Sequence, residues 1–245
     1  MNRHALIAVA LWILISAAGF IAVLTYDPFP IAAAEQATLI DDAFKLLTLL
    51  AVPVFAMVVA FLLYSAFRFR RSVDGGEDGP PIRGNNKIAV AWLAASTALT
   101  IAVIIHPGIT GLNEIRAHDG KPVDLVVQIE SSRFAWSLIY PEQKIKARKE
   151  LVLPINAVTR FKINSRDVIH SFWIPAFRIK IDAVPGIETT IVATPNKLGN
   201  YDDNINFRVQ CAELCGLGHA KMSIPVRVVE KEEFDEWIAQ QSPVQ

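Results

Sequence analysis

Cysteine is almost missing from this chain: two residues in 245, Cys211 and Cys215, four positions apart. A framework of several disulfides is excluded, which leaves one bridge, a reactive thiol or a metal site. No Cys-x-x-Cys-His occurs, so no haem-attachment motif is present. Net charge is zero, with 24 Lys and Arg against 24 Asp and Glu, which argues against nucleic acid as a partner. The one glycine-rich stretch, DGGEDGPP, lacks a phosphate-binding spacing, and no internal repeat is found. Lys and Arg are also absent from residues 27–42, while Arg68, Arg70, Arg71, Arg83 and Lys87 crowd residues 68–87.

What is plentiful is apolar sequence, 52% of the chain. Three runs are each long enough to cross a bilayer, which takes about 20 helical residues. They are residues 5–26, residues 43–67 with Pro53 inside, and residues 88–110, closed by Pro107 and Gly108. The first run follows Arg3 and contains the small-residue patch SAAG, so residues 1–26 are a signal peptide or an extra transmembrane helix. Residues 41–112 form a transmembrane helical hairpin around the Arg-rich loop. By the positive-inside rule that loop is cytoplasmic and everything after Gly111 lies outside.

From residue 117 to 245 the pattern changes. VDLVVQIESS, FAWSLIYP, ELVLPINAVTRFKINS, IETTIVATP, INFRVQC and MSIPVRVVE are short β-branched runs punctuated by Pro, Gly and Asn. They predict an all-β Greek-key sandwich or barrel, and KEEFDEWIAQQ predicts a short terminal helix.

The chemistry concentrates in CAELCGLGHAKM, with HSFWIPAF upstream. Together they offer Cys211, Cys215, His219, Met222 and His170. A Cys-x-x-x-Cys disulfide is allowed outside the membrane but gives His219 and Met222 no task. Zinc can use the two cysteines and two histidines, but leaves the thioether idle. Copper uses all five, because soft sulfur and imidazole suit it and a weak methionine is a usual axial partner. A mononuclear copper site needs one cysteine. Two cysteines bridging two coppers use the surplus, with Met222 serving one metal and the Glu213 backbone carbonyl the other. Such a pair suits one-electron transfer.

The two stretches DVIHSFWIPAFRIKIDAVPG and QCAELCGLGHAKM resemble the dinuclear copper motif, CuA, of cytochrome c oxidase subunit II. The resemblance runs from about residue 41 to residue 237. It implies a cupredoxin-like CuA domain with two copper ions and no haem in this chain. The implied ligands are His170, Cys211, Cys215, His219 and Met222, with the Glu213 carbonyl. It further implies that the Glu213 side chain reaches a magnesium site shared with the catalytic subunit. The implied partners are haem-copper oxidase subunits I and III, and a cytochrome c or blue-copper donor. The implied location is a prokaryotic plasma membrane with the C-terminal domain on the outer or periplasmic face. A membrane-anchored copper carrier without an oxidase partner is the alternative, and a copper-free quinol-oxidase subunit is disfavoured by the retained ligands.

Two positions depart from the family pattern. Ala89 stands where the family carries a proton-conducting glutamate, three residues before Trp92. In SSRFAWSLIYP, Phe134 replaces the family's electron-accepting Trp, while Trp136, Ser137, Tyr140 and Pro141 fit; Phe134 and Trp136 are the candidate aromatics for electron uptake. A single aromatic on a strand is more often core than wire. From residue 117 onward the charge is balanced, sixteen Lys and Arg against sixteen Asp and Glu, which points to a donor docking mainly through apolar contact.

Overall fold

A computed structural model describes residues 3–70, 81 and 84–241. Arg71 and Arg83 of the Arg-rich loop lie outside the described residues. The chain divides into two compact units, 1–28 with 42–111 and 29–41 with 112–245.

The first unit is helical. Among the described residues, three helices are long and apolar enough to cross a membrane. Helices α1 (Arg3–Thr25) and α2 (Glu35–Arg68) pack together through specific contacts. Gly19 leaves room for Val52, whose Cγ1 would stand 2.8 Å from any added Cβ. The Trp12 indole donates to the Pro53 carbonyl at 2.8 Å, and His4 Nδ1 meets the Tyr64 hydroxyl at 2.6 Å. Helix α3 (Asn86–Val103) starts at Asn85, whose side chain accepts from the Lys87 and Ile88 N–H groups, two donors the helix cannot satisfy itself. His106 then turns extended (φ −138°, ψ 120°), as a residue before proline must. The sequence reading ends the helix at Pro107 and Gly108. Instead the chain re-enters helix as α4 (Thr110–Asp119), because nothing after Gly108 forbids it.

The second unit is a sandwich of two five-stranded sheets. In chain order the strands are β1 (Leu125–Ser132), β2 (Ala135–Tyr140), β3 (Ile145–Ala147), β4 (Leu151–Pro154), β5 (Thr159–Ser165), β6 (His170–Ile174), β7 (Ile179–Ala183), β8 (Thr189–Ala193), β9 (Arg208–Cys211) and β10 (Ser223–Val229). One sheet runs β3-β2-β1-β5-β8 and the other β4-β10-β9-β6-β7. The β1–β5 and β4–β10 pairs are parallel, and the other pairs are antiparallel. Strict alternation along β1 and β5 turns Val127, Ile129, Phe161 and Ile163 inward, against Phe172 and Val209 of the other sheet. Helix α5 (Lys231–Ala239) closes one end, with Trp237 edge-on to Tyr140 at 5.5 Å. The buried Tyr140 hydroxyl donates to the Val152 carbonyl and accepts from its N–H, at 2.9 and 3.1 Å. Burial pushes its pKa above the usual phenol value, the Val152 bond opposes the shift and the Glu150 charge adds to it.

Phe29–Asp41 belongs to this second unit, although the sequence reading begins the β-region at residue 117. Ala33 and Ala34 are fully buried in its core. The Ala33 N–H donates to the Ala176 carbonyl, Asn196 N–H to the Ala33 carbonyl and Glu35 N–H to the Thr194 carbonyl. Arg178 locks the strap. Its Nε and Nη2 fork onto the two Asp41 carboxylate oxygens, each at 2.8 Å. The rest of the guanidinium serves the carbonyls of Pro30, Ile31 and Pro175.

Candidate metal centre

Three segments bring the candidate ligands together. His170 opens β6, Cys211 ends β9, and the loop between β9 and β10 carries Cys215, His219 and Met222. Pairing of β6 with β9 sets Phe172 opposite Cys211, which draws His170 and the Cys loop to the same end of the sheet. The loop is closed by its own backbone: His219 N–H to Gly216 carbonyl, Met222 N–H to His219 carbonyl and Cys211 N–H to Met222 carbonyl.

The potential ligand atoms form a chain. His170 Nδ1 lies 3.8 Å from Cys211 Sγ, which lies 3.8 Å from Cys215 Sγ. Cys215 Sγ is 3.7 Å from His219 Nδ1 and 3.9 Å from Met222 Sδ. The Glu213 carbonyl sits 3.2 Å from Cys211 Sγ. The thiols are free, and 3.8 Å is far beyond the roughly 2.05 Å of a disulfide. Two donors about 2.3 Å from one metal at a tetrahedral angle lie about 3.8 Å apart, so each spacing suits a shared metal. His170, Cys211 and Cys215 have ligand atoms all within 4.8 Å of one another, and His219 falls outside that group. The donor set is therefore elongated, with one histidine at each end of a sulfur pair.

The surroundings are dry. His170 and Met222 are fully buried and Cys211 nearly so. Burial, reinforced by Cys211 beside it, pushes the Cys215 thiol up to about 11 without a metal. A metal cation reverses that preference, since coordination favours the thiolate. Trp136 belongs to the core: it is 2% exposed, stands edge-on to His170 and points its indole N–H at the Met222 carbonyl (3.4 Å). Phe134 does not, being 38% exposed at the turn between β1 and β2. Its ring packs against the candidate ligand loop, where a Cβ added at Gly218 would stand 2.4 Å from Phe134 Cδ2. Leu214 and Leu217 of the same loop are exposed, as is the Glu213 side chain. Ala89 and Trp92 both lie exposed on α3.

Sequence reasoning missed Asp167, three residues before His170. Its Oδ1 accepts from His170 Nε2 at 2.9 Å. The Val168 N–H bonds Oδ1 at 2.8 Å, and the Arg133 N–H and Nε bond Oδ2 at 2.8 and 3.2 Å. Burial alone would raise this carboxyl, but those bonds from His170, Arg133 and Val168 outweigh it and hold the pKa well below the usual range. The available signal was the Asp-x-x-His spacing in DVIH, which puts a carboxylate within reach of the ring.

A family model described as the periplasmic domain of cytochrome c oxidase subunit II matches residues 131–229. Cytochrome c oxidase subunit 2 of Synechocystis sp. is 30% identical over 258 residues, covering 87% of this chain and 76% of that one. Heme-copper oxidase subunit 2 of Aeropyrum pernix is 32% identical over 210 residues, covering 78% and 85%. The crystal structure of the periplasmic domain of subunit II of cytochrome oxidase from Bradyrhizobium japonicum superposes with a TM-score of 0.46 at 34% identity, covering 49% of this chain and 95% of that one.

Proposed function

Because this chain belongs to the cytochrome c oxidase subunit II family, we propose that its elongated Cys-His-Met cluster holds two coppers and is the point where electrons enter a terminal oxidase. The chain is the electron-accepting subunit of an oxidoreductase complex, and oxygen reduction takes place in the haem-bearing partner. It is a membrane protein with an extramembrane domain. A free-standing copper carrier is not favoured, since the similarity to oxidase subunits takes in the membrane helices as well as the ligand loop.

One observation carries the two-copper reading: two free thiols 3.8 Å apart with a histidine beyond each. Cys211 and Cys215 would hold the two coppers between them, with His170 beyond one sulfur and His219 beyond the other. Met222 and the Glu213 carbonyl would supply the weaker donors, and the exposed Glu213 carboxylate would suit a magnesium ion shared with subunit I. Bound copper supplies one-electron storage, and a fixed ligand cage limits the rearrangement on each transfer. The chain's part is to keep water out through buried His170 and Met222, and to fix the sulfurs through the β6–β9 pairing and the loop's own hydrogen bonds.

The donor docks over Phe134, Leu214 and Leu217, an apolar cluster beside the copper loop. Partners are subunit I, subunit III and a cytochrome c or blue-copper donor. The β-region faces the periplasm or cell exterior of a prokaryotic plasma membrane, with Arg68, Arg70 and Lys87 on the cytoplasmic side. Helix α1 is a retained third transmembrane helix, because the Gly19–Val52 approach and the Trp12 and His4 bonds are contacts that a discarded leader does not need.

The test is copper analysis and electron paramagnetic resonance of the full chain. The expected result is two coppers per chain and one unpaired electron shared between them. Cys211→Ser lowers the count to one or none, whereas Met222→Leu keeps both and shifts the potential. One copper in the wild type, or zinc, refutes the dinuclear reading.

A further inference from the structure

The two histidines of the centre are held differently. His219 is half-buried on the loop between β9 and β10, whereas His170 is fully enclosed and bonded to Asp167. An ionised carboxylate only accepts hydrogen bonds. The His170 proton must therefore sit on Nε2, which leaves the Nδ1 lone pair directed at the sulfurs, 3.8 Å from Cys211 Sγ. Asp167 itself is not free to turn. Val168 N–H fixes Oδ1, and the Arg133 N–H and guanidinium fix Oδ2. The holding groups come from two places, the bend before β6 and the turn between β1 and β2, so the ring is tied to both sheets.

We propose that Asp167 is the positioning residue that sets the tautomer and orientation of His170, and that Arg133 moderates how much of its negative charge the centre feels. The inference rests on the metal-site reading for its consequences and on the metal-free fold for its geometry. A carboxylate on the far nitrogen makes imidazole a stronger donor and favours the more oxidised metal. Removing the carboxylate raises the reduction potential. Removing the guanidinium, which leaves the carboxylate uncompensated, lowers it. A residue that only shapes the turn gives no such pair of opposite signs.

The experiment uses the full chain in lipid nanodiscs with nitrogen-15 histidine. In the metal-free wild type, His170 shows the Nε2-protonated tautomer, and its Nε2 proton exchanges at least tenfold more slowly than that of His219. Asp167→Ala abolishes both features. In the copper-loaded protein, Asp167→Asn raises the potential by a tenfold shift in the one-electron equilibrium, about 59 mV. Arg133→Met lowers it, with copper content unchanged. Should Asp167→Ala fail to fold, Asp167→Asn and Arg133→Met decide the matter through the sign of their shifts. An unchanged tautomer and exchange rate in Asp167→Ala, or shifts of the same sign in the other two, overturns the proposal. A wild type that takes up no copper refutes the metal reading, while the metal-free spectra still decide the role of Asp167.

Discussion

Replacing Arg178 with methionine tests whether Phe29–Asp41 is part of the β-unit or merely a connection beside it. The side chain is 10% exposed and its Asp41 partner 18%, so the pair is nearly, though not fully, out of water. Methionine keeps much of the volume but leaves the Asp41 carboxylate and the carbonyls of Pro30, Ile31 and Pro175 without their donor. Breaking a buried pair costs about 3–5 kcal/mol. Water reaching Asp41 puts this case at the lower end, about 3 kcal/mol. For a unit of roughly 150 residues that lowers the melting temperature by about 6–12 °C. The loss is local first, so amide hydrogen exchange is the sharper assay. Protection at Ala33, Glu35 and Asn196, whose N–H groups bond Ala176, Thr194 and Ala33, falls about a hundredfold as the strap opens. Arg178→Met combined with Asp41→Asn is milder than the single change, because no unpaired charge remains. Unchanged protection at Ala33 and Asn196 in Arg178→Met refutes the assignment of the strap to this unit.

Three further outcomes are expected. Tyr140 keeps its proton in the fold past the usual phenol pKa of about 10, so its contribution to stability is whole below that pH and is lost as the pH rises above it. Tyr140→Phe costs about 1–3 kcal/mol at pH 7 by stranding the Val152 N–H and carbonyl, and denaturant midpoints show a smaller alkaline loss than in the wild type. Oxidation rate with the native donor is flat or rises between tens and a few hundred millimolar salt, since balanced charge and exposed Phe134, Leu214 and Leu217 give little steering to screen; a steep fall means charged docking. Intact mass of the membrane-extracted protein includes residues 3–25, and a mass lacking them shows that α1 is removed.

How much of this was legible in the sequence depends on how far each feature reaches along the chain. The candidate ligands were legible because soft, reactive side chains rarely cluster by accident, and four of the five lie within twelve residues. The helices were legible because lipid demands a long apolar run whatever its neighbours. Strands β1 and β5 announced themselves by alternation, since one face meets the core and the other water. Pro107 misled because proline constrains the residue before it more than those after it, so helix could resume at Thr110. Phe134 was legible only as a candidate: an aromatic next to a strand looks like core, and only the bare Cα atoms of Gly216 and Gly218, more than eighty residues away, give its ring a surface to lie on. The strap was hidden most deeply. FPIAAAEQATLID has no strand alternation, and its burial depends on an arginine 137 positions beyond Asp41. Asp167 lay between these cases, close to His170 in sequence but bonded to Arg133, 34 positions back. The identity of the candidate ligands is thus a local property of this chain, while their placement is a property of the fold. That is why changes at Arg133, Asp167 and Arg178 probe the structure in a way that changes at the cysteines do not.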